Sequence, residues 1–223
     1  MRTVIAGGHG QIALHLESLL AARGDTPVGL IRGSGQQEAD LRAAGAEPVV
    51  CDLENATVEQ VAAVLAGADA AVFAAGAGAG SGADRKDTVD RAAAVLFADA
   101  AERAGVRRFV LLSSMGADRE PPPGTDPVFA AYLRAKGAAD ADLAARQALD
   151  WTILRPGRLT DDPPTGRVLL AGRTGRGSVT RADVAAVIAA LLAAPATSGL
   201  TLELIAGDVP VEQAVAEAGA QQG

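Results

Sequence analysis

Thr3-Val4-Ile5-Ala6-Gly7-Gly8-His9-Gly10-Gln11-Ile12-Ala13 decides how this chain is read. A β-branched run ends in a glycine loop, and the loop opens directly into an apolar-periodic stretch. Gly7, Gly10 and Ala13 are spaced G-x-x-G-x-x-A. Without side chains at Gly7 and Gly10 the backbone can turn tightly and approach a pyrophosphate. The free N–H groups of the following helix start then face its negative charge. Small Ala13 lets that helix lie close against the first strand. In a chain this rich in Gly and Ala the triplet alone is a weak signal. A strand before it and a helix after it, at the head of an alternating βα series, make it a strong one.

The alternation repeats outward from the loop. Four helix-like segments end in glycine, and each glycine is followed within a few residues by a strand-like run. Gly24 precedes 27–31, Gly45 precedes 48–51, Gly67 precedes 70–74, and Gly105 precedes 108–113. Glycine just past a helix supplies the left-handed turn that terminates it. Apolar strands separated by helices predict a parallel sheet covered on both faces. A sixth strand is legible at Trp151-Thr152-Ile153-Leu154 and a further one at 200–205. Asp126-Pro127 reads as the N-cap and first-turn proline of a helix continuing to about Ala148. Thr180-Arg181-Ala182-Asp183 reads as a capping box at the head of 184–192. The expected fold is α/β: a doubly wound parallel sheet flanked by helices. It forms a single domain over residues 1–205, with small elements near its C-terminal end. Residues 206–223 read as a loosely held tail. Three irregular stretches, 77–82, 119–125 and 160–166, follow strands at the carboxyl edge of the sheet, where such folds bind ligands.

At 223 residues the chain is long enough to bury a full sheet between two helical layers. It is 49% apolar but only 3% aromatic, so the core is built from Val, Leu, Ile and especially Ala. A net charge of −7 with no basic run argues against nucleic acid as a partner. The lone Cys51 allows no internal disulfide and no cysteine metal cluster, and reads as a small buried hydrophobe. Met1-Arg2 leads straight into the first strand, leaving no room for a signal peptide, and no apolar run is long enough to span a membrane. The expectation is a cytoplasmic protein with a small-molecule substrate, no membrane partner, and a protein partner only if it acts as a sensor. Asp118, Asp161 and Asp162 lack metal-ligand spacing and read as loop residues. His9 is expected to contribute its backbone, and His15 has no partner.

Tyr132 and Lys136 stand four apart on the helix begun by Asp126, one turn apart on one face. Upstream, Phe109-Val110-Leu111-Leu112-Ser113-Ser114 delivers two hydroxyls to the end of the fifth strand. A tyrosine with its ordinary pKa of about 10 is a poor acid at neutral pH, and a nearby ammonium lowers that value. A serine hydroxyl at the same point can hold a carbonyl oxygen. At the end of the second strand, an acidic residue would accept from a ribose 2′-hydroxyl and repel a 2′-phosphate. Arg32 stands there instead, with Ser34 nearby, and both suit a phosphate, which favours NADP over NAD.

Four elements together resemble the atypical short-chain dehydrogenase/reductase superfamily, in its NAD(P)-binding, biliverdin-reductase-B-like and NmrA-like branch. They are the glycine loop, Ser113-Ser114-Met115-Gly116-Ala117-Asp118, Tyr132-Leu133-Arg134-Ala135-Lys136, and Trp151-Thr152-Ile153-Leu154-Arg155-Pro156-Gly157-Arg158-Leu159-Thr160. The resemblance runs from Thr3 to about Ile205, and it implies a Rossmann-type sheet with cofactor along its carboxyl edge, a single NAD(P)-binding domain over residues 1–205 that includes small substrate-side elements near its C-terminal end. It implies that Gly7, His9, Gly10, Gln11 and Ile12 line the pyrophosphate and that Asp52-Leu53 holds the adenine. It also implies that Ala74-Ala75-Gly76 passes beneath the adenosine ribose and that Pro156-Gly157 backs the nicotinamide. Ser114 aligns better than Ser113 with the family's catalytic hydroxyl. The Pro121-Pro122-Pro123 insert lengthens the serine-to-tyrosine interval, and the branch includes tyrosine-independent reductases and proteins that bind cofactor without turnover.

The implied activity is an NADPH-dependent oxidoreductase acting on a small carbonyl or related electrophilic substrate. Ser114 would polarise the substrate, Tyr132 would donate the proton, and Lys136 would orient the nicotinamide ribose and lower the tyrosine pKa. Two alternatives stand beside it: a non-catalytic NADP-binding sensor, and an NAD(P)-dependent epimerase or dehydratase.

Overall fold

The first half of the chain alternates strand and helix: β1 (Arg2–Ala6), α1 (Gln11–Ala22), β2 (Thr26–Ile31), α2 (Gln36–Ala43), β3 (Glu47–Val50), α3 (Val58–Leu65) and β4 (Ala70–Phe73). A π-helical turn (Lys86–Ala92) then leads into α4 (Ala93–Ala104), β5 (Arg108–Leu112), α5 (Pro127–Ala144) and β6 (Asp150–Pro156). The remainder comprises β7 (Arg158–Thr160), β8 (Arg167–Ala171), β9 (Ser178–Thr180), α6 (Arg181–Leu192), β10 (Leu200–Ala206), β11 (Val209–Pro210) and α7 (Val211–Ala220). This computed structural model describes residues 1–78, 81–82 and 85–220; positions 79 and 80 of the 77–82 stretch, and 221–223 of the expected tail, lie outside it.

Across the sheet the strands run β3-β2-β1-β4-β5-β6-β10-β8-β11. β3 through β10 are all parallel, as expected, while β8 is antiparallel to β10 and pairs antiparallel with β11. β7 and β9 form a separate parallel pair. The order reverses direction between β1 and β4, and loops at the carboxyl ends of those strands flank a crevice suited to a ligand.

Alternate residues of each strand face opposite layers. Ile5, Val72, Val110 and Leu154 pack under α1, α6 and α7; Val4, Phe73, Phe109 and Ile153 pack under α3, α4 and α5. Three of the few aromatics, Phe73, Phe97 and Phe109, form a tilted chain with centroids 6.0 and 5.7 Å apart. Alanine fills the rest, so the helices sit close to the sheet.

Several local expectations meet the structure with differences. α5 starts as read, with the Asp126 carboxylate accepting from Phe129 N at 2.9 Å, but ends at Ala144 rather than near Ala148. Thr180 accepts from Asp183 N at 2.9 Å, yet Asp183 does not close a reciprocal box. Its carboxylate turns to Thr165 N and Gly166 N, at 3.0 and 2.9 Å, and anchors the 160–166 loop. Residues 206–220 of the segment read as a tail are held. β11 pairs with β8, and α7 buries Val211, Ala214, Val215 and Ala218 beside α6. Those positions follow i, i+3, i+4, i+7 helical spacing, with two alanines making the stripe weakly apolar.

A candidate dinucleotide and substrate site

Gly10 is the N-cap of α1 in extended geometry, offers no side-chain cap, and is followed by no acidic residue in the first turn. The first backbone bond inside the helix runs from Leu14 N to Gly10 O, so the N–H groups before it have no partner within the helix. They present the positive end of the helix to the crevice. The loop must come close to its neighbours to do this. Gly7 has φ +79°, and a Cβ there would lie 2.6 Å from Ala75 Cα. A Cβ on Gly8 would lie 2.7 Å from Gly29 Cα in β2, so Gly8 and Gly29 are needed too, although only the Gly7–Gly10–Ala13 spacing stands out in the sequence. A Cβ on Gly10 would meet only the Gly7 carbonyl, at 3.1 Å; the rest of its surroundings are open.

A cavity of about 230 Å³ lies beside the loop. Gly7, His9 and Gly10 line it on one side, and Arg32, Asp52 and Leu53 on another, with Ala74, Ala75 and Gly76 at its floor. A larger cavity, about 1180 Å³, contains Ile12, Ser114, Tyr132, Lys136, Pro156 and Gly157. Both include Ala74, Ala75 and Gly76, so one extended ligand can thread the two. Gln11 and Ser34 line neither cavity. The residues present therefore fit a dinucleotide: an uncapped helix start for the pyrophosphate, a small chamber for one end and a large one for the other. His9 Nε2 pairs with Asp40 Oδ2 at 2.7 Å, which leaves its backbone for the ligand and holds the Asp40 carboxyl below its ordinary range. Cys51 is half-buried on the small cavity's wall rather than in the core, and burial raises its thiol pKa.

In the large cavity the two serines separate. Ser113 is buried and donates to Asp140 Oδ2 at 2.9 Å, while Ser114 faces the cavity with only a long 3.4 Å contact to the Met115 carbonyl. Ser114 is thus the hydroxyl available to a ligand. A Cβ at Gly137 would collide with the Ala117 carbonyl oxygen, so glycine there lets α5 bring Tyr132 and Lys136 against the Ser114 turn. The Lys136 ammonium donates to Leu112 O at 3.0 Å, reaches Ala75 O at 3.5 Å, and pairs with Asp90 Oδ1 at 3.3 Å. Asp90 is fully buried, and its other oxygen accepts from Ala77 N at 3.3 Å. Lys86 Nζ donates to Gly78 O at 2.8 Å and lies 5.5 Å from the Tyr132 ring centroid; Lys136 Nζ lies 6.0 Å from it. Phe129 stacks on the same ring at 5.8 Å.

Lys86 and Asp90 escape a reading of the sequence alone. Their four-residue spacing is the available signal, but they reach the site through a π-helical turn, a device that recurs at functional sites. Asp140, four residues beyond Lys136 on α5, escapes with them although it carries the same spacing signal; Ser113 and Arg155 hold it, the latter at 2.8 Å.

Glu17 lies beneath the glycine loop. It is fully buried on α1, and neither carboxylate oxygen has a hydrogen-bond partner among the described residues. A Cβ on Gly29 would meet its Oε1 at 2.5 Å. Burial pushes its pKa from 4.5 up to about 8. The folded state then binds a proton that the unfolded state releases above pH 4.5, so stability falls as pH rises toward 8. The slope is at most about 1.4 kcal/mol per pH unit. Glu17→Gln removes this dependence, and the variant's unfolding free energy should exceed the wild type's by roughly 2–5 kcal/mol at pH 8–9. Urea unfolding from pH 5 to 9 checks it; parallel profiles would show that Glu17 ionises freely in the fold.

Strand order, glycine loop at the reversal point and a threaded pair of cavities define a dinucleotide-binding Rossmann protein. The chain belongs to the NAD(P)H-binding family, whose sequence profile matches residues 7–195. A Bacillus subtilis protein described as an "uncharacterized sugar epimerase", YhfK, is 36% identical over 96% of this chain and 99% of its own. A solved structure from Bacillus halodurans, described as a "putative NAD-dependent epimerase/dehydratase", is 37% identical with a TM-score of 0.88, covering 97% of this chain and 99% of that one. ChuY, described as an anaerobillin reductase of Escherichia coli O157:H7, is 27% identical with a TM-score of 0.78, over 94% of this chain and 98% of its own. Among the described residues no helix is long and apolar enough to cross a membrane, and no three His, Cys, Asp or Glu side chains are grouped to hold a metal.

Proposed function

We propose that the protein is an NADPH-dependent oxidoreductase of the short-chain dehydrogenase/reductase type, which reduces a carbonyl or related electrophilic group. The observation that carries this reading is Tyr132, its ring flanked by the Lys86 and Lys136 ammonium groups in the cavity that also holds Ser114 and Pro156-Gly157. Bound NADPH supplies a hydride, and with it two electrons, to the substrate carbon. Ser114 Oγ donates a hydrogen bond to the substrate oxygen and orients it. The Tyr132 hydroxyl gives that oxygen its proton, and water restores the tyrosine. The Lys86 and Lys136 ammonium groups lie 5.5 and 6.0 Å from the centre of the ring that gives up this proton. Lys136 would hold the nicotinamide ribose, exchanging its long 3.5 Å bond to the Ala75 carbonyl for a ribose hydroxyl.

The preference for NADP rests on Arg32 at the small cavity. Glu54 lies 3.8 Å from Arg32, but Arg85 and Thr88 also hold that carboxylate, which leaves the Arg32 guanidinium for a 2′-phosphate. Arg32→Asp should weaken NADPH binding by about 1.5–3 kcal/mol while sparing NADH. Calorimetry with both coenzymes tests this, and equal losses would remove Arg32 from phosphate recognition.

The names of the Bacillus relatives favour a second reading, an epimerase or dehydratase using the same residues. That chemistry returns the hydride to the substrate. Net NADPH consumption with a carbonyl panel supports the reductase; isomerisation or dehydration without consumption supports the second.

A further inference from the structure

The chain carries more acids than bases, 27 against 20, and among the described residues nearly all of its cations are taken. Arg32 aside, whose long 3.8 Å pairing with Glu54 leaves it for the cofactor's phosphate, every Lys and Arg side chain but three is held by a carboxylate or a backbone carbonyl. The three are Arg119, Arg158 and Arg176, and all of them line the large cavity. They come from separate segments: the loop before the triple proline, the first residue of β7, and the connection between β8 and β9. None lines the small cavity beside the glycine loop. Solvated surface arginines would be scattered over the molecule. These three converge on the chamber that holds Ser114 and Tyr132.

The same chamber has an apolar wall. Phe129 is 50% exposed and Val128 37%, and Met115, Pro121, Pro122 and Leu159 also face into it. A volume of about 1180 Å³ is more than a nicotinamide and a small aldehyde would fill. We propose that Arg119, Arg158 and Arg176 form a substrate-anion site, and that the substrate is a sizeable amphiphile bearing at least one carboxylate or phosphate on an apolar body. Guanidinium groups suit both headgroups through paired N–H bonds. The inference rests on the reductase reading only for its word "substrate"; the binding it describes does not depend on turnover.

The test uses NADP-saturated protein and three probes sharing one apolar body: 2-naphthoate, 2-naphthyl phosphate and neutral 2-naphthamide. At least one anion should bind about tenfold or more tightly than the amide, and added salt should narrow the gap. Which anion wins identifies the headgroup. Arg158→Gln and Arg176→Gln should each erase most of the preference, while Arg42→Gln, whose guanidinium is paired with Glu38 on α2, should leave it intact. Equal binding of the three probes, no binding of any, or a preference untouched by the cavity variants would overturn the proposal. So would displacement of NADP by the anions, which would mean that they occupy the cofactor's own site. The two readings fail separately. Anion preference without any NADPH oxidation keeps this site and removes the reductase; oxidation of neutral carbonyls without anion preference does the reverse.

Discussion

Tyr132→Phe should lower turnover by about 10²–10⁴-fold, the usual worth of a positioned acid, while NADPH affinity stays nearly unchanged. The substitution removes one hydroxyl and leaves the ring. Its stack with Phe129 and its place beside Lys86 persist, so the cavity keeps its shape. Steady-state kinetics together with coenzyme titration separate the two effects. Near-normal turnover would mark a tyrosine-independent reductase whose proton comes from water or substrate. Lys136→Ala should hurt both rate and affinity, but it carries a structural cost as well. Asp90 is fully buried, and removing its cation strands a charge at roughly 3–5 kcal/mol. A fall in melting temperature should therefore accompany Lys136→Ala and be absent from Tyr132→Phe.

Gly10→Val should abolish dinucleotide binding, a loss of more than about 100-fold or ~3 kcal/mol, with little effect on the fold. The backbone at Gly10, φ −72° and ψ 148°, is open to any residue. Only the Gly7 carbonyl lies near the new Cβ, so the branched side chain projects into the space the pyrophosphate needs. Gly8→Val makes the contrast, because a Cβ there runs into Gly29 and should cost stability first. Calorimetry and thermal melts on the pair distinguish a lost site from a lost fold. Unchanged affinity in Gly10→Val would show that this loop does not hold the cofactor.

Much of this molecule was legible because its punctuation is local. Gly24, Gly45, Gly67 and Gly105 each have positive φ at a helix end, and each announces the strand after it. The loop from Gly7 to Ala13 and the Tyr132–Lys136 spacing needed no tertiary information. What escaped depends on distant partners. β8 takes its antiparallel place from its neighbour β10, which comes later in the chain, and β11 takes its own from β8. Asp140, 27 residues away, decides that Ser113 is structural and Ser114 free. Glu17 reads as an ordinary polar position on α1; only the packing of Gly8 and Gly29 over it makes it a buried acid. Arg119, Arg158 and Arg176 are unremarkable in sequence and gain meaning from what the other cations are doing.

The most direct test of the reductase follows the hydride itself. NADPH deuterated at the transferring position of C4 is mixed with enzyme and a panel of carbonyl compounds, including ones bearing carboxylate or phosphate. Expected is one deuterium on the product carbon, one oxidised cofactor formed per product, and both lost together in Tyr132→Phe. Product that carries no cofactor deuterium while the nicotinamide pool stays unchanged would contradict the reductase and favour the epimerase or dehydratase. Tight NADP(H) binding with no turnover of any compound would contradict both and leave a sensor.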